Sequence, residues 1–223
     1  IRYLILRIII HLKKKSVSRV FVQGDSMKNL AKKVFPSKCN IEIIRFFSKL
    51  KLNESSSQIE YDFLYIASGE KHKNHLNLFK ALKLLEQKKQ RCKICFTLSK
   101  SDRLKFSEYF NFFETSQFIT VNNKTNLSRD EISNLYLASK ALVFPSFVES
   151  LGLPLLEAKS LGINILASEK DFVRDVCNPD ETFDPYSYES IAGAMMRFLK
   201  SPSEKIDYDI HNLKSWISHE VQK

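Results

Sequence analysis

Apolar and polar residues follow each other along the chain in two alternating patterns. From Tyr61 onwards, short apolar runs typical of buried strands are separated by longer segments whose apolar residues recur at helical spacing. The strands are predicted at 61–67, 92–98, 117–121, 141–144 and 163–167, and the helices at 74–88, 101–110, 129–139, 153–161, 171–176 and 188–200. This alternation predicts an α/β fold with a doubly wound parallel sheet, in which ligands bind at the carboxyl ends of the strands.

The first quarter of the chain has a less regular pattern. Residues 2–12 are apolar around almost the whole circumference of a helix, and three lysines follow them. A buried or partly buried helix is the favoured interpretation, and a basic amphipathic helix on an anionic membrane surface is the alternative. The next elements are predicted as a strand at 18–23, a helix at 26–34 capped by Asp25, a strand at 41–46 and a linker at 47–60.

Basic side chains are concentrated at the same end of the chain. Residues 1–51 contain 13 Lys or Arg and 2 Asp or Glu, so the formal net charge of +10 belongs to this segment. One interpretation is peripheral contact with a membrane through residues 1–51. Nucleic-acid binding is the rival interpretation, but stacking platforms and recognition motifs are missing, so no nucleic-acid partner is expected.

Composition narrows the class of protein. The 223 residues suffice for one large or two small domains, and a 43% hydrophobic content suffices for a sizeable core. Four cysteines form no disulfide framework, and Cys92 and Cys95 share C-x-x-C spacing within a predicted strand, so a structural role is expected. No apolar run is long enough to span a bilayer. A cytoplasmic location is therefore expected, with peripheral attachment to the inner face of the membrane as an option.

Residues 143–162 contain the most informative pattern in the chain. The apolar run 141–144 predicts a buried strand, and a loop with Glu149 follows it. Pro154 suits the first turn of a helix and Gly162 suits the position just after its end. Glu157 then falls about one turn into this helix, with seven residues between the two glutamates. The backbone N–H groups of the first turn can bind an anion.

This stretch resembles the donor-site signature of GT-B glycosyltransferases of the large retaining family 4. The matching positions are Phe144, Pro145, Ser146, Glu149, Gly152, Leu153, Pro154, Glu157 and Ala158. Ser150 and Leu151 stand where the family usually has Gly and Phe. The resemblance implies two Rossmann-like domains facing a cleft. Residues 1–50 would be a remnant of the first domain, 51–205 the nucleotide-sugar-binding domain, and 206–223 a helix that crosses back.

The resemblance also implies roles for individual residues. Glu149 would face the donor sugar and Glu157 would hold the nucleotide ribose. In the loop after the first strand of this domain the family has a Gly-Arg pair and, five residues after the Arg, a Lys. Lys73 matches that Lys, and Ser68 stands in place of the Arg. The resulting prediction makes Glu149 and Lys73 catalytic and assigns donor binding to Ser68, Gly69, Lys73, Ser150, Leu151, Gly152, Leu153 and Glu157.

The function implied by the resemblance is transfer of a sugar from a nucleotide-diphosphate-sugar donor to a saccharide or lipid-linked acceptor, with retention, in cell-surface polysaccharide synthesis. No cofactor and no metal are expected. Lys73 and the helix start near Gly152 would instead supply positive potential at the donor phosphates. The alternative is a non-catalytic nucleotide-sugar-binding fragment that lacks a complete acceptor domain. The patterns for NAD-binding and P-loop proteins do not occur.

Overall fold

The computed structural model describes residue 10, residues 12–44 and residues 58–201. The predictions of a helix at 2–12, a linker at 47–60 and a helix at 206–223 lie wholly or largely outside these residues. The strands are β1 Arg19–Val22, β2 Asn40–Ile43, β3 Tyr61–Tyr65, β4 Cys92–Phe96, β5 Ile119–Asn123, β6 Ser139–Phe144, β7 Asn164–Ser168 and β8 Glu181–Phe183. The α-helices are α1 Asp25–Val34, α2 His75–Gln87, α3 Lys100–Lys105, α4 Ser107–Glu114, α5 Arg129–Leu137, α6 Leu153–Ser160, α7 Asp171–Arg174 and α8 Tyr188–Lys200.

Six of these strands form one parallel sheet in the order β5-β4-β3-β6-β7-β8. The chain first builds outward from β3 to β5, then returns to place β6 against the free side of β3, with Phe63 opposite Ala141. The loops that leave β3 and β6 therefore start side by side, but they lead to helices on opposite faces of the sheet, and a crevice forms at this point of its carboxyl edge. The predicted α/β fold with a doubly wound parallel sheet is confirmed, and this crevice is where a ligand site is expected.

Both faces of the sheet are covered by helices. Along β3, Phe63 and Tyr65 enter one core cluster while Tyr61 and Leu64 enter the other. The first cluster includes residues of α2 and α8, and the second includes residues of α5 and α6. Burial on both faces explains why the central strands are apolar runs rather than alternating patterns. It also fixes the sheet as a rigid base for the loops at its carboxyl edge.

A second, two-stranded parallel sheet is made by β1 and β2. Among the described residues, its buried core consists of Ala31, Cys39 and Ile41. Cys39 and the other three cysteines are buried and form no disulfide, in agreement with the structural role expected for the C-x-x-C pair. Among the described residues, no helix is long and apolar enough to cross a membrane.

Two predictions about local structure were wrong, and one strand was missed. The helix predicted at 101–110 is two helices that meet at Phe106, whose backbone departs from helical geometry and whose ring stacks on His75. Strand β8 was missed, since three residues are too short for a period-2 pattern. Asp25 does not cap α1 but is its first residue, and Gly24 occupies the cap position.

Candidate active site

A cleft of about 510 Å³ opens at the carboxyl edge of the six-stranded sheet. Its walls come from the loops after β3, β4 and β6, the start of α6 and the end of β1. The lining includes eight residues predicted to bind or act on the donor, namely Ser68, Lys73, Glu149, Ser150, Leu151, Gly152, Leu153 and Glu157. Gly69 does not line it. The structure therefore brings together groups that are more than 80 positions apart in sequence, between Ser68 and Glu157.

The Lys73 loop is hydrogen-bonded to three other segments of the chain. Residues 71–73 form a 3-10 turn, and Asn74 then takes a left-handed conformation with φ of 66°. The Asn74 amide nitrogen donates to the carbonyls of Pro145, at 2.9 Å, and Pro185, at 2.7 Å. The Tyr65 hydroxyl donates to the Lys73 carbonyl at 2.6 Å. Asparagine tolerates this conformation better than most residues, so the turn delivers Lys73 in one fixed direction.

The Lys73 ammonium forms an ion pair with Glu149, with Nζ 2.7 Å from Oε1. The Lys73 side chain is 17% exposed and that of Glu149 is 10% exposed, so the pair is largely shielded from water. A hydrogen bond from the Phe147 N–H to the His72 carbonyl, 2.8 Å long, ties the two loops together beside it. Because the pair is shielded, its attraction is stronger than that of a surface salt bridge. The positive and negative groups of the cleft thus lie side by side.

The loop containing Ser68 and Gly69 is fastened to α3. The Ser68 hydroxyl is hydrogen-bonded to Glu70, and the Gly69 N–H donates to the Asp102 carboxylate at 3.1 Å. A Cβ atom on Gly69 would lie 2.8 Å from the Asp102 Cβ, which is closer than real Cβ atoms approach. Lys105, Ser99 and the Gly69 N–H together hold the Asp102 pKa below its usual value. In this structure the Gly69 N–H is therefore bonded to protein, and a phosphate contact through it stays a prediction.

Asp102 lines the cleft and was missed by sequence reasoning. Its sequence context is an ordinary helix start, with the Ser99 hydroxyl accepting the Asp102 N–H as a cap. An aspartate in a first turn is favoured by the helix dipole in any helix, so the pattern contained no sign of a contact with Gly69. Only the proximity of the loops after β3 and β4 reveals it.

Glu157 is buried on the first turns of α6 and is held by two side chains of α5. The Tyr136 hydroxyl lies 3.0 Å from Oε2, and an Arg129 guanidinium nitrogen lies 3.2 Å from Oε1. Burial raises the Glu157 pKa above its ordinary value, while Tyr136 and Arg129 act in the opposite direction. Burial also raises the pKa of Tyr136, with the Glu157 charge adding to the effect, so this hydroxyl remains protonated and can donate. Neither α5 residue was predicted, because both fit an ordinary amphipathic helix.

The start of α6 has the geometry expected from its sequence. Gly152 takes a left-handed conformation with φ of 73° at the cap position, and Pro154 lies in the first turn. Within the described part of the chain no side chain caps this helix start. At the other end Gly162 has a φ of 65°, and the N–H groups of Gly162 and Ile163 donate to the Lys159 and Ala158 carbonyls, which is a Schellman motif. Gly152, Leu153 and Pro154, at the N-terminus of α6, line the cleft.

Metal-binding potential was assessed over the same residues. In the ranges 12–44 and 58–201, no group of three or more His, Cys, Asp or Glu side chains is placed so that it could hold a metal ion.

Comparison with known proteins establishes the family. Residues 48–212 match the family model described as glycosyl transferases group 1. The chain belongs to this family. A 75-residue segment of this group 1 glycosyltransferase is 31% identical to O-antigen chain mannosyltransferase B of Escherichia coli, which corresponds to 33% of this chain and 20% of that protein.

Several solved structures share the fold of this chain. Sucrose-phosphate synthase from Thermosynechococcus elongatus has a TM-score of 0.72 at 15% identity, covering 92% of this chain and 56% of that one. Anabaena Alr3699/HepE in complex with UDP and glucose has a TM-score of 0.70 at 11% identity, covering 97% of this chain and 66% of that one. The chain spans about half to two thirds of the length of these structures. At such low identities they establish the fold alone, and it is the predicted GT-B architecture.

Proposed function

We propose that this chain acts in the transfer of a sugar from a nucleotide-diphosphate-sugar to a saccharide or lipid-linked acceptor, with retention as in family 4. The observation that carries the proposal is the convergence of Lys73, Glu149 and Glu157 in one cleft. The family match supports sugar transfer. The name of the E. coli relative supports a polysaccharide acceptor, and the UDP and glucose in the Anabaena structure support a nucleotide-sugar donor.

The proposed roles follow from the chemistry of each group. As the bond between the anomeric carbon and the phosphate oxygen breaks, negative charge builds on the departing nucleoside diphosphate. Lys73, the Ser68 hydroxyl and the backbone N–H groups at the start of α6 would stabilise that charge. Glu149 would accept hydrogen bonds from sugar hydroxyls, and Glu157 from the ribose hydroxyls. The Lys73–Glu149 ion pair suits this arrangement, because an entering phosphate can share the ammonium without either loop moving far.

The remaining proposals concern the domain organisation of the chain, its location in the cell and its need for a metal or cofactor. Residues 1–50 would belong to an acceptor-side domain, 51–205 to the nucleotide-sugar-binding domain, and 206–223 to a helix that crosses between them. The basic segment 1–51 would contact an anionic membrane surface on the cytoplasmic side. Neither a metal nor a cofactor would be needed, because Lys73 and the α6 N-terminus supply the positive potential.

The test is a binding and turnover experiment on the full chain. Calorimetry with UDP-glucose, GDP-mannose, UDP and GDP should reveal binding of at least one nucleotide-sugar, with the same affinity in EDTA. Loss of binding in EDTA would overturn metal independence, and no binding of any of the four would overturn the proposed function. Binding without transfer to saccharide or lipid-linked acceptors would favour the alternative, a non-catalytic nucleotide-sugar-binding chain. An inverted anomeric configuration in the product would contradict retention.

A further inference from the structure

Among the described residues, the wall of the cleft includes one from outside the six-stranded sheet and its helices. Gln23 follows directly after β1 and lines the cleft together with Lys73, Glu149 and Ser150. It also lines a smaller adjoining cavity with Ser150 and Leu151. No hydrogen bond within the described residues involves the Gln23 side-chain amide. A free amide group at the cleft surface can both donate and accept hydrogen bonds.

The position of Gln23 is determined by a contact between segments far apart in sequence. The Ser26 N–H, in the first turn of α1, donates to the Asp175 carboxylate at 2.8 Å. Asp175 follows α7 and is 149 positions away, yet it satisfies a backbone group that a local cap residue normally satisfies. Gly24 occupies the cap position and has no side chain to do so. Asp175 therefore anchors the helix start that immediately follows Gln23.

Gly24 allows the start of α1 to lie close to Asp175 and Ser150. A Cβ atom at Gly24 would lie 3.2 Å from the Asp175 carboxylate and 3.9 Å from the Ser150 carbonyl. The Gln23–Gly24 turn thus packs on the residue that directly follows Glu149. Any group bound beside Glu149 in the cleft would also be close to Gln23.

We propose that Gln23 is a specificity-determining residue that hydrogen-bonds the sugar of a bound nucleotide-sugar, and that Asp175 is the positioning residue that holds it in place. The inference rests on the proposed function of the cleft. A sugar is favoured over a phosphate because an amide matches hydroxyls, which donate and accept, whereas a phosphate accepts only. The location beside Ser150, next to Glu149, favours the same part of the ligand.

Calorimetry on the full chain tests the proposal with matched ligands, UDP-glucose against UDP and GDP-mannose against GDP. Gln23→Ala should weaken binding of the nucleotide-sugar by about threefold to tenfold, the value of one or two hydrogen bonds, and leave binding of the nucleoside diphosphate unchanged. Asn29→Ala, which removes an exposed amide from α1, should change neither. Gln23→Glu keeps the shape of the side chain and removes the N–H donor, so it should also lower the contribution of the sugar to the binding affinity.

Asp175 is tested with a conservative pair of variants. Asp175→Ala should reduce the sugar contribution as Gln23→Ala does, while Asp175→Asn, whose carbonyl oxygen can still accept the Ser26 N–H, should restore most of it. The inference is wrong if the wild-type chain binds a nucleotide-sugar and Gln23→Ala leaves its affinity unchanged, or weakens both ligands of a pair equally. If the wild-type chain binds no nucleotide-sugar, the proposed function itself fails.

Discussion

Lys73 and Lys71 lie on one short turn and differ in their surroundings. Lys73 pairs with Glu149 inside the cleft, whereas Lys71 is exposed. On the proposed function, Lys73→Ala should lower kcat for sugar transfer by about 10²–10³, the loss typical of a fixed donor facing developing charge. Lys71→Ala should have almost no effect, since solvated surface charges contribute little. The measurement is kcat and KM for the donor with both variants.

Equal and small effects of the two lysine substitutions would mean that Lys73 does not face the donor phosphates. Lys73→Ala also leaves Glu149 without its partner, so a loss of thermal stability must be separated from a loss of turnover. The variant Lys73→Arg keeps the ion pair with a bulkier group, and it should fold normally while still losing most of the rate.

Glu157 illustrates a conflict between stability and the proposed ribose binding within a single side chain. Burial makes its pKa higher in the folded protein than in the unfolded chain, so the ionised form destabilises the fold. Glu157 contributes most to stability while its carboxyl is neutral. This contribution is fully present below the unfolded pKa of about 4.3 and is lost as pH rises through the folded pKa. The Tm of Glu157→Gln minus that of the wild type should therefore increase from pH 4 to pH 8. Thermal unfolding across this range measures it.

Donor binding by the same variant should change in the opposite direction. An amide offers fewer acceptor sites to ribose hydroxyls than a carboxylate, so Glu157→Gln should weaken nucleotide-sugar binding at pH 8. Tyr136→Phe is the companion variant. It removes a hydrogen bond that lowers the Glu157 pKa, so the stability change should move to higher pH. A difference in Tm between Glu157→Gln and the wild type that shrinks as pH rises would contradict the account.

At the scale of elements, the loops at the carboxyl edge of the sheet are held by contacts with each other. Gly69 is one such contact, because a side chain there would overlap the Asp102 side chain of α3. Gly69→Ala should lower the free energy of unfolding by about 1–3 kcal/mol, a usual value for overpacking. Combining it with Asp102→Ala should recover only part of the loss, because the overlap with the carboxylate disappears while the 2.8 Å contact with the Asp102 Cβ remains. Denaturant unfolding of the single and double variants is the measurement.

Gly193 is a matched control for this experiment. It lies inside α8, and of the described residues a Cβ atom there would meet only an Arg197 guanidinium nitrogen, at 3.5 Å. Gly193→Ala should stabilise the protein by roughly 0.5–1 kcal/mol, since alanine loses less backbone freedom in a helix. If both glycine variants shifted stability in the same direction, the close contact at Gly69 would not be the controlling factor.

At the scale of the whole molecule, the four cysteines report which part of the structure opens first. Cys92 and Cys95 lie on β4 of the six-stranded sheet, and Cys177 packs in one of the two core clusters on the faces of that sheet. Cys39 belongs to the small core of the sheet formed by β1 and β2. Burial raises the pKa of the first three thiols, for Cys95 and Cys177 to about 11. A small core supports less stability, so in mild denaturant a thiol reagent at pH 8 should label Cys39 first.

Mass spectrometry of the labelled peptides identifies the modified cysteine at each time. A Cys39→Ser variant should lose the early phase and keep the later ones. Simultaneous labelling of all four cysteines would show that the two sheets open together as one cooperative unit. Labelling of Cys92 or Cys95 before Cys39 would contradict the order expected from the sizes of the cores.

The sequence by itself determined the fold class and singled out eight of the residues that line the cleft. The β–α alternation from Tyr61, the helix signals at Pro154 and Gly162, and the spacing of Glu149 and Glu157 are local patterns. Each depends on residues a few positions apart, because strand and helix periods and helix ends are set within one or two turns. The family resemblance added Lys73 and Ser68. Eight of the nine residues named from the sequence line a single cleft.

Only the tertiary structure decided which of these groups touch. Lys73 meets Glu149 across 76 positions, Gly69 meets Asp102 across 33, and Ser26 meets Asp175 across 149. Nothing near these residues in sequence encodes the partner, because the partner is chosen by strand order, which places β6 beside β3 and brings their loops together. For the same reason Tyr136 and Arg129 looked like ordinary residues of α5. Local patterns decide what each segment becomes, and the packing of the segments decides the chemistry at the edges where they meet.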